Sequence, residues 1–345
     1  MSIDRRGFLK LAGTTATAAV AGTAVTAEAR PPKVMPEEAV GLLFDGTLCV
    51  GCRACMPACK QANDMPPELT PLKVGPTGET NAVWDAPLDI SGHTLNVIRA
   101  YRSGEGTKKD QVEDGFAFSK KSCLHCVDPS CVSACPVSAM TKDPRTGIVG
   151  YSVEACIGCR YCVAACPFGV PRFTFDTPTP KISKCQLCKH RFADGHYAAC
   201  AEVCPTGATL FGKVKDLKAE IARRRSLAPG TSTTFPRGRI DGPDSYVGTV
   251  GKYVERTYGE KEIGGTQVMH LSGVPFELLD KPELPSVSPA STSESIQHGI
   301  YYGLLAPMGF LGVLVAAARR TMLERGVEPP ETPPPPKSSS SGGTP

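Results

Sequence analysis

Apolar residues in this chain gather in short runs. Phe116-Ala117-Phe118, Arg172-Phe173-Thr174-Phe175 and Ala208-Thr209-Leu210-Phe211 read as short strands, as do Thr94 to Tyr101 and Thr266 to Met269. Ile148-Val149 begins another after the turn chemistry of Asp143-Pro144-Arg145-Thr146-Gly147. From Val214 to Arg225 the period becomes helical, with Val214, Leu217 and Ile221 on one face and Lys215, Lys218, Arg223 and Arg224 on the other. That pattern predicts a solvated surface helix. Gly299 to Ala318 is different again, twenty consecutive residues without a charge. At 1.5 Å per residue it reaches about 30 Å, the thickness of a bilayer core. Tyr301 and Tyr302 stand at its start and Arg319, Arg320 and Arg325 beyond its end, flanks that put the C-terminal tail in the cytoplasm. Pro307 inside it is tolerated in a membrane helix.

The chain starts with Asp4-Arg5-Arg6-Gly7-Phe8-Leu9-Lys10, a mildly apolar segment to Val25, and Ala27-Glu28-Ala29. This is the layout of a twin-arginine signal peptide over residues 1–29, with Asp4 standing where Ser or Thr is usual. Export by that route places the folded protein on the periplasmic side of the cytoplasmic membrane, in agreement with the C-terminal flanks. The organisation expected is therefore a signal peptide at 1–29, a cysteine-bearing module at 30–225, an extended wrapping segment at 226–297, a transmembrane helix at 298–318 and a disordered tail at 319–345. A proline- and glycine-rich insert within the module contains Pro66-Pro67, Pro71, Pro76-Thr77-Gly78 and the single tryptophan, Trp84.

Composition changes the picture through one residue type, cysteine. The chain of 345 residues has 16 of them, and they fall into four quartets with none left over. Run one is Cys49, Cys52, Cys55 and Cys59; run two is Cys123, Cys126, Cys131 and Cys135; run three is Cys156, Cys159, Cys162 and Cys166; run four is Cys185, Cys188, Cys200 and Cys204. Runs two to four end in Cys-Pro, and run one has Lys60 in that place. Run three has the C-x2-C-x2-C-x3-C-P spacing in which three thiolates hold one cubane and the fourth ligates a second. Disulfides do not require such repeats, and tetrahedral zinc needs only two C-x2-C pairs per ion. Four runs therefore predict four [4Fe-4S] clusters in two pairs. Spacing alone does not choose the pairing, although the linker between runs two and three suits one compact lobe.

The formal charge of +4 has no basic run long enough for nucleic acid, and removing residues 1–29 (three basic, two acidic) leaves +3. Four oxidised clusters with their thiolates would add roughly eight negative charges and make the loaded protein acidic. Arg53, Lys60, Arg160, Lys184 and Lys189 lie near the thiolates in sequence, where positive charge raises a cluster potential. His125 and His190 are candidates for a hydrogen bond to sulfur, and His298 stands at the start of the membrane helix. No nucleophile elbow, phosphate loop or dinucleotide fingerprint is present, so no substrate site is expected on this chain.

These features resemble the four-cluster electron-transfer subunits of respiratory oxidoreductases, and within them the HybA-type iron-sulfur subunit of membrane-associated nickel-iron hydrogenases. The resemblance rests on the twin-arginine start, Leu48-Cys49-Val50-Gly51-Cys52, His125-Cys126-Val127-Asp128-Pro129, Lys142-Asp143-Pro144, Thr146-Gly147-Ile148-Val149, Tyr258-Gly259-Glu260-Lys261-Glu262 and Gly265-Thr266-Gln267-Val268. It implies an α+β fold of two nested ferredoxin-like lobes, each binding two clusters, the inner one spanning about 116–176. It also implies the ligand sets. Cys49, Cys52, Cys55 and Cys204 would hold one cluster, with Cys185, Cys188, Cys200 and Cys59 on its lobe partner. Cys156, Cys159, Cys162 and Cys135 would hold the third, and Cys123, Cys126, Cys131 and Cys166 the fourth. The function implied is a non-catalytic electron wire from the small and large subunits of a nickel-iron hydrogenase to an integral membrane quinone-reactive subunit. The corresponding subunit of a formate dehydrogenase or another molybdoenzyme is the alternative, and a structural metal-binding scaffold the alternative of another class.

Overall fold

Val40–Asp45 is the strand on which the fold is assembled, and its sequence hides it. In the computed structural model, which describes residues 30–68, 73–74, 79–80, 87–324 and 326, this Val-Gly-Leu-Leu-Phe-Asp segment is buried at every position after the first. A strand covered on both faces has no polar alternation to betray it. It pairs antiparallel with Thr209–Lys213, Leu42 opposite Phe211, and parallel with Val268–Leu271. Gly238–Arg239 completes a four-stranded sheet beside Thr209–Lys213. Leu43, Leu210, Met269 and Leu271 form one core with Val214, Leu217 and Ile221. Leu42, Phe44, Phe211 and Val268 form another, which includes Cys49, Cys55, Cys200 and Cys204. The sheet thus separates an ordinary apolar layer from one that is rich in sulfur.

The helix Val214–Ser226 buries Val214, Leu217 and Ile221 as its period predicts, but Arg224 is not on the solvated face. Its side chain is fully buried, where Nη1 donates to Asp45 Oδ2 at 2.9 Å and Nε to Glu220 Oε1 at 2.8 Å. Tyr253 Oη donates to the same Asp45 oxygen at 2.8 Å, and Thr47 to Oδ1 at 2.7 Å. The helix period continues through Glu220 and Arg224, four residues apart, so an ion pair extends the buried face by one turn.

The other predicted strands fall close to their expected places. Gly115–Lys121 contains Phe116 to Phe118 and pairs antiparallel with Val97–Arg102. The Thr94 strand begins three residues late, because Thr94 and Ser91 fold back onto Glu68 through their hydroxyls. Arg172–Phe173 pairs with Ile182–Ser183, and Met140–Lys142 with Val149–Tyr151 across the Asp143 turn. There Asp143 Oδ1 accepts from the amides of Arg145 and Thr146 at 2.9 and 2.6 Å. A second sulfur-rich core surrounds this region, made of Cys131, Ala139, Met140, Val149, Cys156, Cys162, Phe173 and Ile182. Val268–Leu271 begins two residues later than the sequence suggests, since Gln267 spends its side chain on the carbonyls of Val40 and Thr146. Ser232–Pro236 and Ser245–Thr249 form a hairpin that the sequence did not announce.

Contacts divide the chain at Glu294, and Ala29–Glu294 carries all sixteen cysteines. The helix Pro289–Glu324 is long and apolar enough to cross a membrane, and Leu304, Leu305, Phe310, Leu311 and Val313 on it are all exposed. The expected signal peptide at 1–29, Pro71, Pro76-Thr77-Gly78, Trp84 and the expected tail beyond 326 lie outside the described residues.

Removing one member of a buried ion pair strands the other in low dielectric. Arg224→Met is expected to cost about 3–5 kcal/mol and lower the thermal unfolding midpoint, with Asp45→Asn in the same background adding much less than it does alone. Independent, additive losses in the two variants would contradict the network.

Candidate metal centres

Each cysteine run adopts one local plan. The residue before the second cysteine is left-handed in all four loops: Gly51 at φ +69°, His125 at +49°, Gly158 at +74° and Leu187 at +53°. Such a bend turns successive backbone N–H groups to one side and makes a concavity for an anion. Gly51 and Gly158 adopt it without cost; at Gly51 a Cβ would also lie 2.3 Å from the Phe118 ring. His125 and Leu187 are held there at a cost of order 1–3 kcal/mol, which marks a functional loop.

A short helix then carries the third cysteine in its first turn: Cys55 in Cys55–Ala62, Cys131 in Ser130–Ser133, Cys162 in Tyr161–Ala165 and Cys200 in Ala199–Glu202. Proline ends three of these helices, at Pro136, Pro167 and Pro205, directly after the fourth cysteine. Run one has Lys60 instead, and its helix continues to Ala62 with Cys59 inside it. Backbone amides reach the sulfurs at matching offsets: Met140 N donates to Cys135 Sγ and Thr209 N to Cys204 Sγ, both at 3.4 Å and both five residues on. Leu187 N donates to Cys185 Sγ at 3.4 Å, and Asn63 Nδ2 to Cys59 Sγ at 3.8 Å.

The thiols lie in four neighbourhoods, each drawn from two runs. Burial pushes Cys49 up to about 11, with Cys204 and Cys52 adding repulsion. Burial likewise raises Cys59 to about 12, its sulfur neighbours being Cys200 and Cys188, and those of Cys185 include Cys59, Cys188 and Cys200. Cys126 is raised by burial and by Cys123, Cys166 and Cys131, and Cys162, to about 11, by burial and by Cys135, Cys156 and Cys159. Electrostatic influence also runs from one neighbourhood to the next. Cys55, at about 12 through burial, feels Cys200 as well as Cys49 and Cys204. Cys185 feels Cys123, and Cys131 feels Cys162.

The donor set fits cubanes. All sixteen cysteines are free thiols. Among the described residues no three Cys, His, Asp or Glu side chains close around a single ion. A tetrahedral zinc site would bring its sulfurs within about 3.8 Å of one another, given Zn–S bonds of about 2.3 Å. Thiols under inward amides suit a cluster, which also accepts hydrogen bonds on its sulfur.

Polar side chains complete the surroundings. His125 is fully buried; its Nδ1 accepts from Val149 N at 3.1 Å, which puts the proton on Nε2, and Nε2 has no protein partner. His190, by contrast, is exposed and bonds to the carbonyl of Ala62. Lys184 is buried between the carbonyls of Val149 and Cys185, while Lys189 and Arg160 are exposed, the latter over the Phe175 ring. Lys60 is buried near Glu68. Sequence reasoning missed two further lysines. Lys142, pushed down to about 8 by burial, donates to the carbonyls of Cys126 and Gly147. Lys120 is fully buried in the strand Gly115–Lys121, where Ser119 and Lys120 are buried in succession and break the alternation that would have placed them.

Residues 115–214 match the family described as a 4Fe-4S dicluster domain. The chain is 44% identical over 325 residues to the Hydrogenase-2 operon protein HybA of Escherichia coli O157:H7, covering 92% of this chain and 95% of that protein. It is 30% identical over 279 residues to the nitrate-inducible formate dehydrogenase iron-sulfur subunit of Escherichia coli strain K12, covering 81% and 82%. At that identity and coverage, with the dicluster match across runs two to four, the chain belongs to the HybA family of [4Fe-4S] electron-transfer proteins.

Proposed function

We propose that this chain is the electron-transfer subunit of a membrane-bound nickel-iron hydrogenase, exported by the twin-arginine route, with no substrate site of its own. The observation that carries the reading is the division of sixteen thiols into four neighbourhoods, each mixing three cysteines of one run with one of another. In this reading Cys49, Cys52, Cys55 and Cys204 hold one cluster, and Cys185, Cys188, Cys200 and Cys59 hold its partner in the outer lobe. Cys123, Cys126, Cys131 and Cys166 hold a third, and Cys156, Cys159, Cys162 and Cys135 a fourth, both in an inner lobe nested within the first. Each cluster, when bound, takes up and passes on one electron.

The electrostatic influence between neighbourhoods supports a linear order, with the Cys49 quartet at one end and the Cys156 quartet at the other. Each terminal quartet has one exposed cysteine, Cys52 or Cys159, where a partner can approach. The polarity follows from Asp128, between Cys126 and Cys131. Arg30 Nη1 and Nη2 donate to its carboxylate at 2.8 and 2.7 Å, Arg30 also pairs with Glu294, and Ser288 Oγ donates to its carbonyl at 2.8 Å. These contacts hold Ser288 and Glu294 beside the third quartet. The inner lobe then serves the integral membrane quinone-reactive subunit, and the Cys49 end the hydrogenase small and large subunits. The formate dehydrogenase relative, at lower identity, keeps a molybdoenzyme partner as the second reading.

Purified anaerobically with its complex, the protein should contain about sixteen irons, four per cubane. Hydrogen should reduce them; reduction by formate and not hydrogen would assign it to the second reading. Cys166→Ser should perturb the cluster of Cys123, Cys126 and Cys131 in the EPR spectrum and leave that of Cys156 in place. The reverse pattern would refute the exchange of ligands between runs. His125→Phe, which keeps the ring volume but deletes the Nε2 proton, should lower the midpoint potential of one cluster because the reduced form loses a hydrogen bond. Unmoved potentials at full iron content would show that His125 only packs.

A further inference from the structure

Lys120 is a fully buried cation with no carboxylate beside it among the described residues. Its side chain is fully buried, and its Nζ lies 3.4 Å from Thr209 Oγ1, its one hydrogen-bond partner of oxygen type among the described residues. Thr209 N in turn donates to Cys204 Sγ. On its other side Lys120 shares the lining of an internal cavity with Cys59, Cys185, Cys188 and Cys200. Carboxylates compensate Arg224 and Arg30, but here the neighbouring groups are cysteine sulfurs. Thr209 thus links it to Cys204, while the cavity faces Cys59, Cys185, Cys188 and Cys200. These sulfurs belong to two different neighbourhoods.

We propose that Lys120 is a fixed positive charge set between the two clusters of the outer lobe, a positioning residue that raises both potentials and screens their mutual repulsion. The proposal rests on the ligand assignment above. Reducing a cluster adds one negative charge, and a cation within the same low-dielectric interior favours that state at both neighbours. It also lessens the penalty that one reduced cluster imposes on the next, so that both can hold an electron at once. Lys184 stands at the following junction, between the carbonyls of Val149 and Cys185.

The test is an EPR-monitored redox titration of the intact complex with Lys120→Met. Two midpoints should fall and move apart, the other two should stay, and Lys120→Arg should return them toward the wild type. Lys120→Gln, which keeps a donor for Thr209, provides the same comparison if the Met variant loads clusters poorly. Four unmoved midpoints at full iron content would overturn the proposal alone. Wild-type complex lacking about sixteen irons, the content of four cubanes, would overturn the ligand assignment and the proposal with it.

Discussion

Sulfur placed in a low-dielectric interior is the constraint on which the rest of this structure depends. Burial raises Cys49, Cys55, Cys59, Cys131 and Cys162 to about 11 or 12, so that without metal these groups remain protonated near neutral pH. Ligation requires the thiolate, and cluster assembly therefore releases protons and supplies the charge compensation that water supplies elsewhere. The left-handed loops, the amides aimed at Cys135, Cys185 and Cys204, and the buried lysines all serve the same end. They stabilise negative charge where solvent does not reach. The apolar layer around Leu43 and Leu217 is conventional by comparison, and its role is to hold the sheet against which the sulfur layer packs.

The two sulfur-rich cores differ in how they are closed. The one with Cys49 and Cys204 draws its cysteines from both ends of the module, so its closure depends on Val40–Asp45 pairing with Thr209–Lys213, far apart in sequence. Asp45 terminates that strand and is fixed by Arg224, Tyr253 and Thr47, four residues before Cys49. The ion pair therefore bears directly on the first cysteine loop. The inner region is local, closed by the Met140–Lys142 and Val149–Tyr151 hairpin, and the chain can form it early.

Legibility in the sequence follows the same division. The four runs, the turn at Asp143 and the strands at Phe116 and Leu210 are local patterns and could be read directly. Val40–Asp45 could not, because a strand buried on both faces has no period of its own. Arg224 was misplaced because charge suggested solvent, whereas its helical position at i+3 from Ile221 and i+4 from Glu220 continued the buried face. Lys120 and Lys142 gave no signal at all: a buried lysine is recognised only through the anions around it, and those come from distant runs. The proposed pairing of cysteines across runs comes from resemblance, since spacing leaves it open.

The central claim is that each cluster takes three ligands from one run and its fourth from another. Anomalous iron scattering from crystals of the loaded protein tests this most directly. The account predicts four groups of iron density, with Cys204, Cys59, Cys166 and Cys135 each reaching a cluster held otherwise by a different run. Four clusters each ligated within a single run would contradict it.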